Sequence, residues 1–195
     1  MGKYLIVSKV ERLEEHLELA KQYGAAFELN DFFDPAVLED ETRQKQIIEK
    51  YLQAGLPEGS TMHGAFLDVV VFSQDPRVRA VAEYRMRQSM EIAVSLGVKG
   101  VVFHTNVNSM LSSREYDSNA IEKTAAYLKK LLTDYPAVDI YLENMFDATP
   151  DILAEISERL RGFPNYGVCF DYAHALWIVR NTVFFICFFI LFKAF

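Results

Sequence analysis

"VCFDYAHALW", residues 168–177, is the stretch on which the fold turns. Val168, Cys169 and Phe170 suit a buried strand, yet the run ends on Asp171, and His174 follows three positions later. A carboxylate and an imidazole at the end of an apolar strand are costly to bury unless something there uses them. The pattern recurs upstream. Glu28 follows "AAF", His63 follows "STM", His104 follows "VVF" and Glu143 follows "IYL". Successive members of this row stand about one strand-plus-helix unit apart. His63, His104 and His174 are three of the chain's four histidines.

Between these strand ends the periodicity is helical. "VERLEEHLELAKQYG" places Val10, Leu13, Leu17 and Ala20 on one face, with Gly24 as C-cap. "ETRQKQIIEKYLQAG" also ends on Gly. "DPRVRAVAEYRMRQSMEIAVSLG" opens on an N-cap Asp with Pro in the first helical position and closes on Gly97. Pro136 stops "SNAIEKTAAYLKKLLTDYP", and Thr149 is the expected N-cap of "TPDILAEISERLRG". The predicted strands are "YLIVSK", "AAFELN", "STMHGAFLDVVV", "VKGVVFHTN", "VDIYLEN" and "YGVCFD". Six strand–helix alternations without a hairpin signal predict an α/β fold with a parallel sheet. Strands that are apolar throughout agree with this, because helices then cover both faces.

A doubly wound sheet and a (β/α)8 barrel both satisfy that pattern. In either, the strand C-termini lie on one side; in a barrel they converge on one mouth, where active sites are built. His, Glu and Asp together are ligands for Zn²⁺- or Mn²⁺-type ions. Outside the row, His16 sits among Glu14, Glu15 and Glu18 and is expected to be solvated. Asp31 and Asp68 are expected to be loop or cap residues.

The 195 residues suit one domain or a little more. At 51% hydrophobic and 24% charged, the chain is too apolar for disorder. A formal net charge of −7 argues against a nucleic-acid partner held through phosphate contacts. Cys169 and Cys187 both lie in apolar runs, so a disulfide framework is not expected and a reducing cytoplasm is. The opening "MGKYLIVSKVERLEEH" has too short an apolar stretch for a secretory signal.

"MHGAF", "VVFHTN", "YLENMF" and "GVCFDYAHA", in this order and spacing, resemble the sugar phosphate isomerase/epimerase superfamily with the xylose isomerase-like TIM barrel. That superfamily includes the endonuclease IV type of DNA repair enzyme. The resemblance runs from about residue 20 to residue 175. It implies a TIM (β/α)8-type barrel holding a divalent metal (Zn, Mn, Co or Mg). Glu143 and Asp171 match the metal-binding carboxylates of the fifth and sixth strands. His63 and His104 match histidines of the third and fourth strands, which bind a further zinc in the endonuclease branch and otherwise line the substrate pocket. His174 matches the catalytic-site histidine of a DxxH motif, and Glu28 a substrate-side acid on the second strand. The implied activity is isomerisation or epimerisation of a small sugar or sugar phosphate. A proton leaves the carbon beside a carbonyl through a metal-stabilised enediolate, with Glu143 both ligand and base. The alternative is zinc-dependent phosphodiester hydrolysis of the endonuclease IV type.

The composition breaks after residue 175. From Leu176 onward there are two basic residues and no acidic ones, and six of the 15 Phe fall in the last twelve positions. Residues 1–175 are therefore read as a partial barrel of about six βα units, and 176–195 as an apolar tail. The superfamily continues for two more units, which bring a metal-binding His and a Glu; "LWIVRNTVFFICFFILFKAF" contains no His, Asp or Glu. The leading expectation is an aberrant ending on a truncated and impaired barrel. A membrane anchor and an edge strand of a smaller fold are the alternatives. As a helix, Val183 to Phe195 would span roughly 20 Å against a bilayer core of roughly 30 Å. Extension back to Leu176 would bury Arg180 at about 2.5–3.5 kcal/mol.

Overall fold

A computed structural model describes residues 4–111 and 113–179. The six predicted strands form, as β1 (Leu5–Ser8), β2 (Ala26–Leu29), β3 (Thr61–His63), β4 (Gly100–His104), β5 (Asp139–Glu143) and β6 (Tyr166–Cys169). All pairings are parallel, and the strands lie side by side in chain order. A doubly wound sheet reverses its strand order at a switch point. Strictly sequential order is that of a barrel wall. Here it forms an open sheet, with β1 and β6 at its edges among the described residues.

The helices are α1 (Leu13–Tyr23), α2 (Pro35–Glu39), α3 (Glu41–Ala54), α4 (Pro76–Leu96), α5 (Arg114–Asp134), α6 (Asp151–Leu160) and α7 (Tyr172–Val179). Local chemistry sets their ends. Asp75 accepts from the Arg77 amide, Pro76 opens α4, and Gly97 closes it in the left-handed region at φ 66°.

Strand alternation sorts the sheet into two faces. Phe27, Leu29, Met62, Val101, Phe103, Ile140 and Leu142 face the helices and join the main core with residues such as Met90, Leu128 and Ile156. The opposite face carries Glu28, His63, Val102, His104, Tyr141, Glu143 and Cys169. The row of polar strand ends thus lies on one face because its members share one parity in one ladder. Gly64 follows His63 at a close approach: a Cβ there would stand 2.3 Å from a ring carbon of Phe103.

Several expectations change. The segment "STMHGAFLDVVV" forms a strand only over Thr61–His63, then a loop with Asp68 at φ 57°. α5 begins at Arg114, capped by Ser113, ahead of the predicted Ser118. Thr149 does not cap α6; its hydroxyl donates to Asp151 Oδ2 at 2.9 Å. His16 is buried rather than solvated, because it lies one turn from Leu13 on the inner face of α1 and its Nδ1 pairs with Ser8 Oγ at 2.9 Å. Asp31 is a loop residue, as expected, though a buried one: it accepts from the Val10 amide at 3.2 Å and from the Tyr51 hydroxyl at 2.5 Å. These bonds tie the segment before α1 and the last turn of α3 to the loop after β2. No helix among the described residues is long and apolar enough to cross a membrane. α7 carries the chain past the composition break, and residues 180–195 of the apolar tail lie outside the described residues.

Candidate metal centre

His63 ends β3, His104 ends β4 and Glu143 ends β5. The register pairs His104 with Glu143 and sets His63 beside Val102, so the three side chains leave one face within a single turn of ladder. Their ligand atoms converge. His63 Nε2 lies 3.2 Å from His104 Nε2 and 3.7 Å from Glu143 Oε2, and His104 Nε2 lies 2.8 Å from the same oxygen. All three residues are buried.

This arrangement fits a cation. Four-coordinate zinc with bonds of about 2.0–2.1 Å holds adjacent ligand atoms roughly 3.3 Å apart. The three separations bracket that value. His63 Nδ1 lies 2.9 Å from the Gly64 carbonyl, which can only accept, so in the neutral ring Nδ1 carries the proton and Nε2 the lone pair. Two ring nitrogens and a carboxylate oxygen this close are reconciled only by a proton or a cation among them. His104 Nδ1 is buried without a partner among the described residues.

A second group shares Glu143. Ligand atoms of Glu143, Asp171 and His174 lie within 4.8 Å of one another, as do those of the first group. Asp171 stands two residues beyond β6, at the start of α7, where its Oδ1 accepts from the His174 amide at 2.6 Å. His174 Nδ1 donates to the Asn144 carbonyl at 2.9 Å, which leaves Nε2 as its lone pair. The His104 and His174 rings are 5.5 Å apart, so the two groups are neighbours. Glu28 belongs to neither but lies close enough to feel His63, Glu143 and Asp171.

The electrostatics follow from this crowding. Burial pushes the Glu143 carboxyl up, but bonds from His104 and His63 outweigh it and hold the group down at about 2. Burial works against a charged His63, yet its bonds to Glu143 and Gly64 and the nearby Glu28 carry its pKa above the usual imidazole value. Burial raises Glu28; His63 opposes the rise, and Glu143 and Asp171 add to it. Burial and the Glu143 charge keep Cys169 a thiol, which donates to Glu143 Oε1 at 3.4 Å.

Four residues of the site carry no functional signal in the sequence. Asn144 directly follows Glu143 in "YLENMF" and bonds both Asp171 and His174. Cys169 shares strand parity with Asp171 two positions on. Phe66, three residues after His63 in "MHGAF", packs against both histidine rings at 5.1 and 4.9 Å. Phe33 stacks on it at 5.0 Å. Nothing local marks the two phenylalanines, because loop geometry brings them together.

Sequential parallel strands with a His/Glu/Asp cluster at their C-terminal ends define a barrel-type α/β protein with a metal-ligand site. Residues 10–184 match the family model of the xylose isomerase-like TIM barrel, and the chain belongs to that family. No curated protein matches the sequence. Among solved structures it is similar to the TTHB071 protein from Thermus thermophilus soaked with ZnCl2. The identity is 24% and the TM-score 0.71, over 89% of this chain and 67% of that one. A D-tagatose 3-epimerase-like protein is 25% identical with a TM-score of 0.64, over 89% and 66%. Endonuclease IV from Thermus thermophilus is 17% identical with a TM-score of 0.55, over 89% and 64%. The chain thus spans about two thirds of the length of these proteins.

Proposed function

We propose that the site serves a divalent-metal-dependent isomerase or epimerase acting on a small sugar or sugar phosphate. The observation that carries this is the convergence of His63, His104 and Glu143 ligand atoms beside the group formed by Glu143, Asp171 and His174. A divalent cation held by these residues would supply Lewis-acid polarisation of a sugar carbonyl or hydroxyl oxygen. Glu143, common to both groups, is read as ligand and, as the resemblance implies, as base. Glu28, half-buried near the end of β2 and close to His63, Glu143 and Asp171, is the second carboxylate placed to move a proton at the adjacent carbon. Phe33 and Phe66 offer an apolar wall beside His63 on which a sugar face can rest.

The loops around the mouth favour a small substrate. Among the described residues, the connections leaving the C-terminal ends of the six strands carry two cations, Lys9 and Arg12, against Glu11, Asp31, Asp34, Asp68, Asp75, Asp147 and Asp171. A surface that tracks a phosphodiester backbone needs the opposite balance. The likeness to a D-tagatose 3-epimerase-like protein supports the same reading. The second reading is zinc-dependent phosphodiester hydrolysis. It is favoured by one observation: two adjacent ligand groups share a carboxylate, an arrangement suited to two cations.

One experiment separates the two. The chain is loaded in turn with Zn²⁺, Mn²⁺, Co²⁺ and Mg²⁺ and incubated in D₂O with a panel of keto sugars and their phosphates. The isomerase reading expects metal-dependent deuterium incorporation beside the carbonyl, lost in Glu28→Gln. Nicking of an abasic-site duplex without any exchange would establish the hydrolase reading instead.

A further inference from the structure

The β5–β6 ladder ends at the pair Glu143 and Cys169, because the chain beyond Cys169 turns into α7. Asp171 therefore has no strand partner to fix it. The Asn144 side chain takes that place. Its Oδ1 accepts from the Asp171 amide at 2.8 Å, and its Nδ2 donates to the Asp171 carbonyl at 3.0 Å. Both polar groups of one buried carboxamide are thus spent on the backbone of a single residue. The backbone carbonyl of Asn144 accepts from His174 Nδ1 at 2.9 Å. Asp171 Oδ1 closes the loop by accepting from the His174 amide.

We infer that Asn144 is a positioning residue that assembles the Glu143–Asp171–His174 group, an inference that rests on reading those three as metal ligands. The residue next to Glu143 holds the other two members by three hydrogen bonds. Its side chain sets where the Asp171 carboxylate starts, and its backbone carbonyl fixes the His174 tautomer so that Nε2 is the coordinating atom. The His63–His104 pair needs no such help, since adjacent ladder strands present it. Only an amide of this length offers an acceptor to the N–H and a donor to the C=O of the same residue. Asp lacks the donor, Ala lacks both, and Gln carries an extra methylene.

The test uses the full chain as wild type and as Asn144→Ala, with His174→Ala and His63→Ala identifying the two cation positions. Co²⁺ titration followed by visible absorption reads the affinity at each. Asn144→Ala is expected to weaken the position that His174→Ala removes by about 10–100-fold. It should leave the position that His63→Ala removes within about threefold. In metal-free protein, the Asp171 amide, which the Asn144 side chain accepts from, should exchange with solvent faster in Asn144→Ala than in wild type, while the His174 Nδ1–H tautomer, set by the Asn144 backbone carbonyl, should persist in both. Equal weakening at the two positions would reduce Asn144 to a general structural residue and overturn the inference. So would an unchanged exchange rate of the Asp171 amide. If the wild type binds no Co²⁺ through His174, the metal reading of that group fails. The Asp171 amide comparison, made without metal, still decides the role of Asn144.

Discussion

The two ligand groups share Glu143 and are built in different ways. His63, His104 and Glu143 stand on three adjacent strands in the middle of the sheet, each buried, their positions set by ladder register. Asp171 and His174 stand beyond the edge strand β6, both partly exposed, held by a cap and by Asn144. The strand beside them is exposed as well: Val168 is 47% accessible and Phe170, just past it, 50%. Backbone hydrogen bonds position the first group at no cost beyond folding the sheet. Side-chain bonds position the second, and each such bond is a net gain of only about 1 kcal/mol. The inner group should therefore survive changes that disperse the outer one.

The largest effect should come from the residue common to both. Glu143→Ala removes the shared carboxylate and is expected to lower cation affinity at both positions by about a thousandfold or more, a loss on the order of 4 kcal/mol. Metal content after dialysis, measured by plasma mass spectrometry, checks it. If one position keeps its affinity, Glu143 does not bridge the groups.

Acid should act next. The folded pKa of Glu143 is about 2, below its unfolded value. It therefore contributes stability that is fully present above the usual carboxylate range and is lost as pH falls toward 2. The amount is on the order of 3 kcal/mol in the metal-free protein. The shift of His63 runs the other way: its raised pKa contributes stability below about 6.5 that is lost as pH rises through the folded value. Cation binding needs His63 neutral, so affinity at the inner position should climb over the range in which the metal-free protein loses this pair. Denaturant titrations between pH 2 and 8 test both limbs, and Glu143→Gln should flatten the acid one.

How much of this is legible in the sequence follows from the same contrast. Register-built features are readable: an apolar run ending in one polar residue, repeated at the spacing of a βα unit, marks Glu28, His63, His104 and Glu143 without coordinates. Side-chain contacts are not: Asp171 and His174 show in the sequence, but the bonds that hold them do not. His16 misleads because three glutamates flank it in sequence, whereas the helix turns them outward and points it at Ser8. Asp31 reads as a loop residue because its partners, Val10 and Tyr51, are about 20 residues away on either side. Asn144 carries no signal beyond its place after Glu143. The run "GAFLDVVV" is apolar enough for a strand, yet it leaves the ladder at Gly64 and folds over the mouth, bringing Phe66 to the histidines.

Gly64 tests the inner group from behind. A methyl at this position would meet Phe103 at 2.3 and 2.7 Å and Val101 at 2.9 Å, all helix-facing core side chains. Gly64→Ala should cost about 1–3 kcal/mol by overpacking and should tilt His63, whose Nδ1 is anchored on the Gly64 carbonyl. Gly162, where an added methyl would meet nothing within 4 Å, is the control: Gly162→Ala should be near neutral. Thermal melts give the stability difference, and Co²⁺ affinity should fall at the His63 position before the His174 position.

The smallest effect is expected at the joint between the groups. Cys169 pairs with Glu143 across the last rung of the β5–β6 ladder, and its thiol donates to Oε1 while Oε2 faces the two histidines. The thiol is a weak donor at 3.4 Å, so its loss should cost under about 1 kcal/mol. It does, however, hold one oxygen of the shared carboxylate apart from the other. Cys169→Ala frees Oε1 to rotate, and affinity should shift by a few-fold at both positions together, with little change in melting temperature. A Co²⁺ titration that moved at only one position would show that the thiol acts on one group alone, and that the carboxylate orientation is set from the histidine side.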